Sequence, residues 1–225
     1  MYGFPRKPQP RPTGWRMGAV LSSYAPGCVG WFSARRGVAT SGGVVVRWNN
    51  LVRGGVHLAP GSSSNPAFVT QAIGDAYPVV RYGAGTQYLA FSASVTNIRT
   101  VIVVAKDSGS RPLADIVGGT PGSGMSALHG GDWSLISPFW ATAAYSVFYN
   151  GVAQPAEGSR PSSYTVISIV SLNSMTFSAL GINQYDSFNR YWVGDYAEIL
   201  LYTAELSVAE RSAIEYRLMH TYKIA

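Results

Sequence analysis

The chain has 225 residues, of which 47% are hydrophobic and only 12% charged, with Gly 25 and Pro 13. That much apolar bulk excludes a disordered chain, and the length allows one core burying roughly 70% of the surface that the unfolded chain exposes. The net charge of +6 is uneven: the basic residues up to position 53 meet no acid before Asp75, which sets one end of the molecule for an electrostatic contact.

In chain order, "MYGFPRKPQPRPTGWRMG" comes first. Its prolines remove backbone donors and favour extended polyproline geometry, so residues 1–17 are set apart as an arm from a domain over 18–225. Arg6, Lys7, Arg11 and Arg16 supply charge, and Tyr2, Phe4 and Trp15 supply surface to bury. A solubilising tail gains nothing from three large aromatics, so the arm reads as a strap laid along a partner. With so few cations among prolines, nucleic acid would receive only a modest electrostatic contact. The same prolines interrupt the apolar segment that a signal peptide needs, and "GAVLSSYAPGCVGWF" is too short and broken to span a bilayer. The expectation is synthesis in the cytoplasm with no membrane partner. A single cysteine, Cys28, excludes an internal disulfide.

Beyond the arm, turn signals recur at short intervals ("SGG", "RGG", "PGSSSNP", "GAG", "DSGSRP", "GGTPGSG") between runs rich in strand formers ("GVVVRW", "YPVVRY", "TVIVVA", "YSVFY", "YTVISIV"). This rhythm predicts an all-β sandwich or barrel, with "TVIVVA" a central strand because it is apolar on both faces. Asn150-Gly151 can take positive φ at both turn positions and predicts a tight hairpin. Ser207 and Glu210 form a capping-box pair at the start of a helix running to about Thr221, with Ile214, Leu218 and Tyr222 on one docking face.

The acids argue against covalent chemistry. In the apolar run "VGDYAEILLY", Asp195 and Glu198 are three apart, and on a regular strand they point to opposite faces. Cleavage of a glycosidic bond needs two carboxyl groups about 5–10 Å apart. Alternate acids such as E-x-D are missing from the chain, and only a pair from distant segments, such as Asp132 with Asp186, could replace them. Asp195 is expected to accept backbone hydrogen bonds at the strand entrance, and Glu198 to be held by an arginine or by backbone amides. Glu205, Glu210 and Glu215 are expected to be solvated on the terminal helix. His57, His129 and His220 are scattered and make no zinc pattern with one cysteine, "GGTPGSGMS" lacks the lysine of a phosphate loop, and no G-x-S-x-G elbow occurs. No catalytic residue, metal or cofactor is expected.

Amides and an acid alternate with aromatics in "NQYDSFNRYW". Asn183, Asp186 and Asn189 could hydrogen-bond a sugar while Tyr185 and Trp192 stack on it, and Trp133 and Trp140 are further stacking candidates. The competing role for this loop is packing before the last strand.

The ending "WVGDYAEILLYTAELSVAERSAIEYRLMHTYKI" resembles that of the concanavalin A-like, laminin-G-like jelly rolls found in phage and bacterial surface proteins. "GWFSARRGVATSGGVVVRWNNLVRGGVHL", "NPAFV", "YPVVRYGAGTQYLAF", "TVIVVAK", "YNGV" and "LG" follow in the family's order, so the likeness covers about residues 29–224. It implies a two-sheet antiparallel jelly-roll sandwich with a short C-terminal helix, and it implies scaffold roles for Asp195 and Glu198. Ser33 and Asn50 stand where the family often has acids, which weighs against calcium. The resulting expectation is a non-enzymatic accessory phage virion protein, a head decoration or tail-associated subunit. Its arm would dock it on a larger assembly such as a capsid or tail, as a homo-oligomer or in multiple copies. The alternative is a carbohydrate-binding module recognising cell-surface glycans.

Overall fold

The computed structural model describes residues 27–83, 86–108, 117–118, 145–155, 159–183 and 190–225. The arm, Asp132, Trp133, Trp140, Tyr185, Asp186 and Asn189 lie outside the described residues, as does the 17/18 boundary.

Two runs that are apolar on both faces organise the described residues. β7 (Leu89–Asp107) contains "TVIVVAK", β14 (Gly194–Tyr202) is "GDYAEILLY", and they pair antiparallel from Gly194 opposite Asp107 to Tyr202 opposite Thr100. Their β-branched and aromatic residues suit strands buried on both sides. On its other side β14 pairs first with β6 (Tyr77–Tyr82) and then with β1 (Cys28–Ser33). β7 pairs on its far side with β11 (Thr165–Leu180), and its first residues pair with β4 (Leu58–Pro60). β3 (Val44–Trp48) and β5 (Ala67–Ile73) complete a closed circuit, β14-β6-β5-β3-β4-β7 and back to β14.

β2 (Val38–Ser41) flanks β3, while β8 (Val117–Gly118) and β9 (Tyr145–Tyr149) flank β11, and β10 (Val152–Gln154) follows β9. β12 (Ile182–Asn183) and β13 (Arg190–Tyr191) form a separate small ladder. The described residues are therefore mostly β with a C-terminal helix, as expected. Instead of two packed sheets, however, all the described strands except β12 and β13 form one continuous 12-stranded sheet that closes on itself through six strands. Length explains this: β7 has 19 residues and β11 has 16, so each pairs with different neighbours along its two halves.

Closure creates two apolar cores. The inner one gathers Phe32, Trp48, Leu58, Val80, Tyr82, Val101, Val103, Phe177, Trp192, Tyr196 and Ile199. The outer one lies between the sheet and the helix α1 (Val208–Tyr222), where Trp31, Ile102, Val104, Leu200 and Tyr202 meet Leu206, Ile214, Leu218 and Tyr222. Alternate residues of β7 feed the two cores, so "TVIVVA" is the central strand that its composition predicts.

The helix begins at the predicted capping box, with the Ser207 hydroxyl accepting from the Glu210 amide and the Glu210 carboxylate accepting from the Ser207 amide at 2.9 Å. The hairpin between β9 and β10 turns on Asn150 (φ 50°) and Gly151 (φ 83°). The Asn150 side chain also accepts from the Val166 amide and donates to the Ala225 carbonyl, tying the turn to β11 and to the residues after α1.

Candidate functional site

β14 starts between the ends of β6 and β7, and three charged residues there interrupt otherwise apolar runs. Asp195 stands directly opposite Arg81 of β6 and directly opposite Lys106 of β7, forming a cation–anion–cation row across three neighbouring strands. Arg81 grips Asp195 with both arms, Nε to Oδ1 at 2.7 Å and an Nη to Oδ2 at 2.9 Å. Tyr164 donates its hydroxyl to Asp195 Oδ2 at 2.5 Å, and the Lys106 ammonium lies 5.5 Å from the centroid of the same tyrosine ring. The fork geometry of the guanidinium and the planar ring fix the carboxylate's orientation, and Asp195 is buried while the Arg81 side chain is 46% exposed. Burial, followed by the hydrogen bond to Asp195, drives the Tyr164 hydroxyl to a raised pKa, so it stays a donor.

The row edges an open cleft of about 710 Å³ lined by Arg81, Lys106, Asp107, Ser108, Ser162 and Asp195, with Tyr82, Gly83, Val193 and Gly194. That volume lies in the range of small-molecule sites, roughly 300–1,000 Å³. Gly194 makes the junction possible: a Cβ there would stand 2.2 Å from the Lys106 carbonyl oxygen and 2.9 Å from Trp192 Nε1. Beside it, Trp192 Nε1 and the Tyr82 hydroxyl are buried polar atoms without a hydrogen-bond partner among the described residues.

Glu198 is elsewhere. It accepts from Trp31 Nε1 and from the Tyr222 hydroxyl, both at 2.5 Å, and so joins β1, β14 and α1. It lines a separate cavity of about 30 Å³ with Ser33, Arg35, Arg36 and Arg217. Burial raises its pKa above the ordinary 4.5, against the opposing pull of Trp31, Tyr222, Ser33 and the Arg35 charge.

The two acids do not lie on opposite faces, contrary to what their spacing predicts. Across from β7, Tyr196 faces Ala105 and Glu198 faces Val104, so Ala197 is an extra residue, a bulge. Ala197 then points to the outer core, and the alternation restarts with Glu198 on the same side as Leu200 and Tyr202. Asp195 and Glu198 thus share the outer face, but they line different cavities and have different partners. The expected partners are also corrected. Asp195 is held by Arg81 and Tyr164, not by backbone amides, while Glu198 has the Arg35 charge nearby but takes its hydrogen bonds from the side chains of Trp31, Tyr222 and Ser33, not from backbone amides.

Glu215 is a further correction. It is buried, not solvated, and accepts from Arg211 one helical turn earlier at 2.5 Å, while the Arg211 guanidinium lies 3.4 Å from the Phe148 ring centroid of β9. α1 is thus held by this polar pair against β9 as well as by its apolar stripe on the outer core. Glu205, on the segment before the helix, bonds Arg99 at 3.0 Å.

Among the predicted sugar contacts, Trp192 is fully buried in the inner core, 5.3 Å from the Tyr196 ring, so no face of it is open for stacking. Packing, the competing role for this loop, is the one Trp192 has. Asn183 ends β12 opposite Arg190. Asn50 uses its side-chain oxygen to accept from the amides of Trp31 and Val52, and its nitrogen to donate to the Val29 carbonyl, which makes it a staple between β1 and the following loop. Burial pushes the Cys28 thiol up to about 11, away from thiolate reactivity. Among the described residues, no group of three metal-ligating side chains gathers, and no helix is long and apolar enough to cross a membrane.

Sequence reasoning missed Arg81, Lys106, Asp107, Ser108, Ser162 and Tyr164. A usable signal was present: single charges close to the ends of the apolar runs "YPVVRY", "TVIVVAK" and "VGDYAEILLY". Asp107 and Asp195 are the distant carboxylates that do reach one cleft, and each faces a guanidinium, Arg160 Nε lying 3.5 Å from Asp107.

No family model matches the chain, and no curated protein matches it. Among solved structures it is similar to Domain 4 of AbnA, a GH43 extracellular arabinanase from Geobacillus stearothermophilus, solved in complex with arabinotriose. The identity is 14% and the TM-score 0.43, over 84% of this chain and 98% of that one. It is also similar to Trypanosoma rangeli sialidase, at 14% identity and a TM-score of 0.32, over 88% of this chain and 33% of the sialidase.

Proposed function

We propose that this protein is a binding module that recognises a carbohydrate in the cleft between the ends of β6, β7 and β14 and breaks no covalent bond there. The observation that carries the reading is the cleft's lining: Arg81 and Asp195, the latter held in place by Tyr164, supply fixed donors and acceptors, and Ser108 and Ser162 add hydroxyls. Pre-oriented polar groups of both kinds suit the alternating donors and acceptors of a polyol. Pairing of both cleft carboxylates with arginines supports binding over hydrolysis.

The test is a glycan array probed with the full chain and with Ser162→Trp, which places a large ring in the cleft at an exposed position. The expected result is saturable binding to a subset of glycans, lost in the variant, with no reducing ends released from them. Binding that is indifferent to Ser162→Trp, or an array without a ligand, overturns the reading.

The arm supports a second reading, of where the module is mounted. Its cations and its three aromatics suit attachment to a larger assembly such as a phage capsid or tail, in several copies per virion. The concanavalin A-like, laminin-G-like assignment belongs to the same proposal and is supported by the order of the motifs over 29–224 and by the capped terminal helix. The two readings are compatible: an attached arm would display the cleft.

A further inference from the structure

Among the described residues, the charges around the cleft do not balance. Asp195 is the one carboxylate in the cross-strand row, and it stands between two cations, Arg81 and Lys106. Arg81 takes both of its oxygens. The other cleft carboxylate, Asp107, belongs to Arg160 at 3.5 Å, and both partners of that pair are buried. What remains is Lys106, whose ammonium has the Tyr164 ring as its partner and no carboxylate in ion-pair range among the described residues. The aromatic face holds the ammonium in place without neutralising it.

We infer that the ligand of this cleft carries a negative charge, an acidic sugar whose carboxylate or sulfate lies against Lys106 Nζ. This rests on the carbohydrate reading above. Two features point the same way. The surplus charge sits on a partly buried side chain that lines the cleft, so its field is less screened than that of a surface lysine. Arg81, although paired with Asp195, keeps its side chain 46% exposed beside it and adds to the positive potential at the rim.

The test measures binding of the full chain to matched oligosaccharides: a uronic-acid oligomer, the same oligomer with its carboxyl groups reduced to alcohols, and that reduced oligomer sulfated. Each is titrated against the wild type, Lys106→Gln and Lys106→Arg, with thermal melts confirming that both variants are folded. The wild type is expected to bind an acidic member at least tenfold more tightly than the reduced one and to lose affinity as salt rises. Lys106→Gln should erase that preference, and Lys106→Arg should restore much of it. Comparison of the carboxylated and sulfated members identifies which acid is recognised. If the reduced oligomer binds as well as both acidic ones in a manner sensitive to Ser162→Trp, the charge inference falls and the carbohydrate reading stands. If no oligomer binds and the glycan array is also empty, both fall.

Discussion

Glu198 illustrates what one side chain does in this fold. Its carboxyl group is surrounded by the outer core and held by Trp31 and Tyr222, and the desolvation that raises its pKa outweighs those hydrogen bonds. A carboxyl whose pKa is raised by folding binds its proton more tightly folded than unfolded. Stability is therefore fullest below the unfolded value of about 4.5 and is lost as pH rises through the raised folded value. Glu198→Gln, neutral at every pH, should gain on the wild type as pH rises from about 4 to about 7. Urea midpoints at both ends would show the difference between variant and wild type increasing with pH, and a constant difference would contradict the assigned cause. Gly194 is informative at the same scale, because the approach to the Lys106 carbonyl that it allows is what brings Asp195 beside both cations.

At the scale of elements, α1 is attached in two ways. Ile214, Leu218 and Tyr222 form the stripe legible from their spacing of four, and the capping box was legible as Ser207 followed by Glu210. The Arg211–Glu215 pair was not legible, because an arginine and a glutamate four apart on a helix ordinarily describe a solvated face. Here β9 brings Phe148 over the guanidinium and closes both charges off from water. Removing one member of a buried pair leaves the other charge uncompensated, whereas removing both with apolar replacements is nearly neutral. Arg211→Met is thus expected to lower the unfolding free energy by about 3 kcal/mol, and Arg211→Met combined with Glu215→Leu to recover most of it. Denaturant titrations of the single and double variants measure this. An equal loss in both would mean that the Phe148 contact, not the charge pair, fixes the helix.

For the whole molecule, the closed circuit of six strands buries β7 and β14 between two cores and leaves their charged ends at one rim, where the cleft forms. The prolines of residues 1–17 set them apart from the domain, so their deletion is expected to leave the melting temperature within about 2 °C of the full chain, a stability change below about 0.5 kcal/mol. If the arm is the attachment point, the same deletion should abolish incorporation into the larger assembly. Differential scanning calorimetry checks the first expectation, and sedimentation of the variant with and without the assembly checks the second. A large drop in melting temperature would make the arm part of the fold.

The sequence by itself determined the all-β class, the central position of "TVIVVA", the Asn150-Gly151 hairpin and the capped terminal helix. Each of these depends on interactions between residues within a few positions of one another: strand propensity, positive φ at a turn, a hydroxyl reaching an amide three residues away. Only the tertiary structure decided where the charges of the apolar strands go. An extra residue opposite β7 moved Glu198 onto the face that Asp195 occupies, and pairing across three strands set Asp195 between Arg81, 114 positions earlier, and Lys106. Register between distant strands is fixed by packing and by bulges, neither of which leaves a mark in the spacing of neighbouring residues.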